Sequence, residues 1–275
     1  MFSLSTLAVA GTLLAASVDP AYIRELQQWR TEREAKLKAP ESWLAVAGLF
    51  WLHEGENKVG SDPQSDVVLP AKAPKHAGVL VRHGEKADWK PVTGTAAVLD
   101  EKSPPAMLGT ISLALIVRGG KVGIRLKDPE ADTRVHFTGL NWYPPDSQFH
   151  VKAKWVPYEK GHTIPITNVL GMTSQEPAPG YAEFTLGGNT YQLEPITEDD
   201  HLFFIFKDQT SASTTYGAGR FLYAPMPSNG TVDLDFNKAE NPPCAFTAFA
   251  TCPLPPRQNV LRVDIPAGEL RYGKH

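Results

Sequence analysis

The chain has 275 residues, 42% of them hydrophobic, enough to bury a substantial core in one large domain or two smaller ones. A formal net charge of −3 leaves no basic footprint of the kind a nucleic-acid partner requires. The 24 prolines and 22 glycines call for many turns, and so for short strands rather than long helices.

Phe2–Ala16 is an apolar Ala/Leu-rich run that ends at Ala15-Ala16-Ser17, a small-residue site of the kind that precedes signal cleavage. The run is too short to span a bilayer. Its leading segment holds no Lys or Arg; the rival to export is a helix packed on the domain. Residues 1–17 are read as a signal peptide, which makes the protein exported, periplasmic or extracellular, with no membrane span after processing.

Asp19-Pro20 has the form of an N-cap followed by proline at the first helical position. Ile23, Leu26, Trp29 and Leu37 follow at helical spacing and predict an amphipathic helix to about Lys38. Ser42–Leu52 is apolar, with Trp43 and Trp51 expected in the core, and its periodicity fits a short helix or a strand. Residues 18–52 form an N-terminal helical segment, 53–105 a small β unit and 106–275 the main β domain.

Thr110–Val117 and Val122–Leu126 are strands joined around Gly119-Gly120, a hairpin signal. Gln148–Val156 alternates, placing His150 on a solvent face with Lys152 and Lys154. Thr163–Val169, Ala182–Leu186 and Thr190–Leu193 are further strands. Glu198-Asp-Asp-His before Leu202–Phe206 reads as a solvated turn guarding an apolar strand rather than a cation site.

The candidate site begins after Phe206. Lys207–Tyr223 is an uncharged-polar loop with Asp208 at one end and Arg220 at the other, and Gly217 and Gly219 permit close backbone approach. If it closes over Asp233–Pro256, then Asp208, Thr210, Tyr216, Arg220, Asp235, Asn237 and Asn241 converge. Arg220 would then either hold a carboxylate or phosphate bidentately or form a buried structural pair with an Asp. Asp233 and Asp235, two residues apart on a strand, would lie about 6.6–7 Å apart, a spacing inverting glycosidases use. The apolar Val232, Leu234 and Phe236 place both acids on the solvent side.

Cys244 and Cys252 are eight steps apart, about 12 Å along a helix and about 26 Å along a strand, so a disulfide needs the intervening segment to fold back. Pro242, Pro243 and Pro253 suit such a fold. Bridged, reduced and buried, or metal-bound thiols all stay open, although no His lies near in sequence; the bridge is the expected state. Nothing else in the sequence implies a metal or cofactor.

Residues 57–83, with Gly60, Asp66, Leu69 and His76, resemble the opening strands of a forkhead-associated domain. Ser61 and Ala73 stand where that family keeps its phosphopeptide contacts. The resemblance therefore implies a small β-sandwich and a structural, hydrogen-bonded His76, without phosphopeptide binding. A second resemblance runs over most of the chain. Its residues are Trp43-Leu, Gly48-Leu, Trp51-Leu with Gly55, Gly123–Asp128, Phe206, Asp208, Thr210, Thr215-Tyr216, Gly219-Arg220, Asp235-Phe-Asn237, Asn241–Phe246, Thr251–Pro256, Asn259 and Ala267-Gly-Glu269. They resemble the bacterial family known as domain of unknown function 1684. One departure is Ser211-Ala-Ser213, where that pattern has a glycine. The family implies a common architecture and a shared site that includes Glu269, and supplies no reaction.

The sequence thus predicts a mainly β protein: an N-terminal amphipathic helix, a small forkhead-associated-like β-sandwich, then a larger antiparallel sheet or barrel-like unit. The leading function is binding of a small polar or anionic ligand at Asp208, Thr210, Tyr216, Arg220, Asp235, Asn237, Asn241 and Glu269. The alternatives are a hydrolase using Asp208, Asp235 or Glu269 as general acid or base, and a protein–protein interaction module. Catalytic residues and oligomeric state are unassigned.

Overall fold

The computed structural model describes residues 19–273. The expected leader, Phe2–Ala16 with its cleavage site, lies outside the described residues. The fold is mainly β, in several open antiparallel sheets fronted by one long helix, and among the described residues no sheet closes into a barrel. No described helix is long and apolar enough to cross a membrane.

Helix Pro20–Lys38 starts as its cap predicts: the Asp19 carboxylate accepts the Ala21 N–H at 2.8 Å and Pro20 occupies the first turn. Only Leu26 and Leu37 are buried on it, so its docked face is polar as well as apolar. Tyr22 donates to Asp235 at 2.8 Å, Arg30 to the Tyr143 carbonyl at 3.0 Å, and the Glu34 carboxylate accepts the Leu140 N–H at 3.0 Å.

Ser42–Leu52 resolves into a 3-10 turn, Trp43–Ala45, and a strand, Val46–Trp51. Neither tryptophan is fully buried; Trp43 packs against the core around Phe203, Phe221 and Cys252 as expected. That strand pairs with Lys121–Lys127, which pairs in turn with Ile111–Arg118 and then Ala106–Leu108. The hairpin closes at Gly119 and Gly120, whose φ values of 54° and 76° are what a two-residue turn between right-twisted strands requires. A second sheet runs Val67–Val68, Gly55–Gly60, Gly78–His83, Lys86–Pro91, Ala97–Leu99. The two sheets share one core, including Leu80, Trp89, Leu99, Leu113, Ile124 and Leu126. The boundary expected at residue 105 therefore falls between strands that pack on the same core. His76 is exposed rather than structural.

In the rest of the chain, His150–Pro157 lies between Gly180–Leu186 and Thr231–Asp235, with Asn189–Leu193 outermost. His201–Phe206 lies between Ile196–Glu198 and Arg220–Pro225. The acidic Asp199-Asp200 is the exposed turn leading into this strand, as expected. The strand is buried on both faces. Phe204 and Phe206 join Phe184, Leu234 and Phe236 on one side, while Phe203 and Ile205 join Ile164, Ile166 and Cys252 on the other. Each such phenylalanine contributes about 2–3 kcal/mol by leaving water. Beyond Asp235 the chain is irregular, with 3-10 turns Phe236–Lys238, Pro243–Ala245 and Arg257–Asn259. It is tied down by reciprocal bonds between Phe221 and Glu240, both 2.9 Å, and by Leu254 N–H to the Thr167 carbonyl at 2.8 Å.

Candidate functional site

The structure gathers the eight predicted site residues, and it turns them inward. Arg220 is wholly buried, with its guanidinium 3.0 Å from Asp208 Oδ1 and further bonds to the Ile265 and Ala267 carbonyls. Asp208 also accepts from the Thr210 hydroxyl at 2.7 Å and the Ile265 N–H at 2.8 Å. Arg220 and Asp208 are thus the buried pair that pins the loops. Tyr216 packs beside Leu37, Phe137 and Phe246.

Asp235 is buried under the helix, whereas Asp233 is exposed, 2.9 Å from His150. The shared solvent face expected for the two acids does not exist, because Tyr22 covers one of them. Asn237 bridges Asp235 and the Asp146 backbone, and Asn241 donates to the Leu270 carbonyl at 2.8 Å. Glu269 is fully buried and accepts from Arg33 Nε at 2.9 Å and the Asn241 N–H at 2.8 Å. Most of their polar atoms face one another or the backbone, which suits scaffolding, since a buried polar group left without a partner costs about 1–3 kcal/mol; Arg220 Nε, Asp235 Oδ2 and Asn241 Oδ1 are buried without a hydrogen bond among the described residues.

The open space lies next door. A half-open cavity of about 350 Å³ is lined by Arg33 and Leu37 of the helix, Trp43, Arg118 and Arg125 of the sandwich, Glu198, Phe203, Phe221 and Tyr223 of the main sheet, and Glu240, Pro243, Phe246, Thr251, Cys252 and Pro253 of the irregular segment. A second hollow of about 400 Å³ shares Arg33, Tyr223 and Glu240 with it. This is the size of small-molecule sites, which pair apolar walls with a few polar groups. None of the eight predicted residues lines either space.

The charges around the cavity differ in their state. Arg33 bonds to Glu269 and sits 3.2 Å from Glu240, and Arg118 pairs with Glu101 at 2.5 Å. Arg125 has no hydrogen bond or ion pair among the described residues. Its Nε is buried without a partner and its guanidinium lies 4.7 Å over the Trp43 ring. Burial lowers its pKa, yet a guanidinium stays charged. Glu240 is only 15% exposed, and its carboxyl is pushed up to about 7 by burial and by Glu269, against the pull of Arg33. Near neutral pH it can accept or donate.

Cys244 and Cys252 stand unbridged in the structure, and the expected disulfide is not shown. The chain does fold back as a bridge would need, since the Cys244 N–H points to the Cys252 sulfur at 3.1 Å. Among the described residues no group of three or more His, Cys, Asp or Glu side chains gathers to hold a metal ion.

Residues 135–270 match the model of the family described as "Protein of unknown function (DUF1684)". A solved structure of an uncharacterised protein from Haloarcula marismortui is 29% identical, covering 50% of this chain and 78% of that one, with a TM-score of 0.42. No curated protein matches. The DUF1684 segment contributes Phe203, Phe221, Tyr223, Glu240 and Cys252 to the cavity, while Arg33, Trp43, Arg118 and Arg125 come from residues before it. The cavity is therefore a seam between the family segment and the N-terminal part of the chain. Sequence reasoning missed these four. Trp43 and the Gly123–Asp128 stretch holding Arg125 do stand among the residues that carry the family resemblance; Arg33 and Arg118 carry no local signal.

Proposed function

We propose that the protein binds a small anionic ligand with a flat apolar part in the cavity bounded by Arg33, Trp43, Arg125, Tyr223 and Glu240. The observation that carries this reading is Arg125, a partly buried cation with no partner among the described residues, stacked on Trp43 at the wall of the cavity. Leaving such a charge unmatched is costly, and an incoming carboxylate would satisfy it bidentately. Phe203, Phe221 and Tyr223 supply apolar wall for the rest of the ligand. Glu240, protonated about half the time near pH 7, would donate to the same anion. The eight residues expected to touch ligand instead hold the walls in place.

Calorimetric titration with benzoate and with uncharged benzamide tests this. Benzoate should bind at least tenfold more tightly, and Arg125→Ala should weaken it by about 10–100-fold, the worth of a hydrogen bond to a charged group. Equal binding of the two probes would sink the proposal. A hydrolytic reading survives in one form: Glu240 has the raised pKa at a cavity wall that proton transfer needs. Asp208 and Glu269, committed to buried arginines, are poorer candidates for it.

A further inference from the structure

The cavity wall contains a feature that ligand binding alone does not use. Cys252 lines the space directly, flanked by Thr251 and Pro253, and Cys244 stands against it in the 3-10 turn Pro243–Ala245. The Cys252 backbone is held in place by its carbonyl, which accepts the Val169 N–H at 3.0 Å. The Cys244 N–H reaches the Cys252 sulfur at 3.1 Å, and Arg125 lines the same cavity as Cys252. Cys252 is buried while Cys244 is half-buried, so the two are unequal in access.

We propose that Cys244 and Cys252 form a thiol–disulfide exchange couple whose partner is a small anionic disulfide seated in this cavity. This rests on the anion-binding reading above and names the reaction partner. The Cys252 thiol, on the cavity wall, gives up its proton to solvent and attacks one sulfur of the ligand disulfide; that S–S bond breaks and the first ligand thiolate leaves. Cys244 then gives up its proton to solvent and attacks the Cys252 sulfur, closing the protein disulfide and releasing the second ligand thiolate. The protein loses two electrons and two protons, and the ligand disulfide gains the two electrons.

The roles follow from the contacts. Cys252 lines the cavity and so meets the ligand disulfide, while Cys244 stands beside it in the turn Pro243–Ala245. Cys244, already in contact, is positioned to resolve the mixed disulfide. Closure needs no large rearrangement, because the Cys252 sulfur is already 3.1 Å from the Cys244 nitrogen.

The experiment uses the reduced full chain and bis(carboxynitrophenyl) disulfide, a dianionic aromatic disulfide whose released thiolate is coloured, with uncharged dipyridyl disulfide as comparison. The wild type should release two thiolates per chain, finish with no adduct and lose two hydrogens in mass. Cys244→Ser should stop after one thiolate and retain one adduct on Cys252. The dianionic probe should react roughly tenfold faster than the neutral one from electrostatic attraction, and excess benzoate should slow it. A wild type that retains two adducts with no mass loss, or a Cys252→Ser chain that reacts as fast as the wild type, would overturn the couple. Exchange that proceeds at equal rates with both probes and ignores benzoate would overturn the seating in the cavity and, with it, the anion-binding reading, while the couple itself would be upheld.

Discussion

Glu240 makes the stability of this protein depend on pH in a direction opposite to that of an ordinary paired carboxylate. Its folded pKa is raised from 4.5 to about 7, chiefly by burial. Below the unfolded value both states are protonated and the full stability is present. As pH rises the unfolded chain ionises first, and stability falls until the folded group ionises too, above about pH 7. A shift of this size corresponds to about 3 kcal/mol at pH 8. Glu240→Gln keeps the shape and removes the titration, and Arg33 retains Glu269 as partner at 2.9 Å. Urea unfolding at pH 5 and pH 8 should therefore show wild type and variant nearly equal at the lower pH, and the variant more stable by about 2–3 kcal/mol at the higher. Parallel pH profiles, or a variant less stable at pH 8, would refute the assignment of Glu240 as a buried acid near neutrality.

Other outcomes follow from the same interior. Arg220→Ala leaves the Asp208 carboxylate buried without its cation and should cost about 3–5 kcal/mol in urea unfolding; a loss under about 1 kcal/mol would show that the pair is not structural. Gly219 has φ 113°, and an added Cβ would sit 2.6 Å from Pro255 Cγ and 2.7 Å from the Phe206 carbonyl oxygen. Gly219→Ala should thus destabilise by more than about 1 kcal/mol, read as a lower melting temperature. Tyr22→Phe removes the bond to Asp235 and should cost about 1–3 kcal/mol, with faster hydrogen exchange in helix Pro20–Lys38; unchanged exchange would mean the helix is held by other contacts.

The elements were legible because they are local. Asp19-Pro20 caps a helix through its own backbone, and Gly119-Gly120 closes a hairpin because only residues free to take positive φ fit there. The alternation of His150–Pro157 and the apolar run Leu202–Phe206 needed no long-range information to be read as strands. Asp208, Arg220, Asp235, Asn237, Asn241 and Glu269 were also visible as a group, since so many polar residues among prolines and aromatics must be either bound together or binding something.

Which of those two it was, the sequence could not say. Partnership across a fold joins residues such as Arg33 and Glu269, far apart in the chain, and no spacing rule records it. The buried polar group spends its hydrogen bonds within the fold, so the recognisable residues became supports behind the cavity walls. The cavity fell instead to Arg125, whose strand hides Ile124 and Leu126 on the opposite face and leaves the arginine turned toward the seam with the DUF1684 segment. The chain alone determined the strands, the turns and the identity of the buried polar residues, because these depend on backbone preference and composition. Only the tertiary packing decided which charges were paired and which was left to face open space, because that depends on what four separate segments bring to one place.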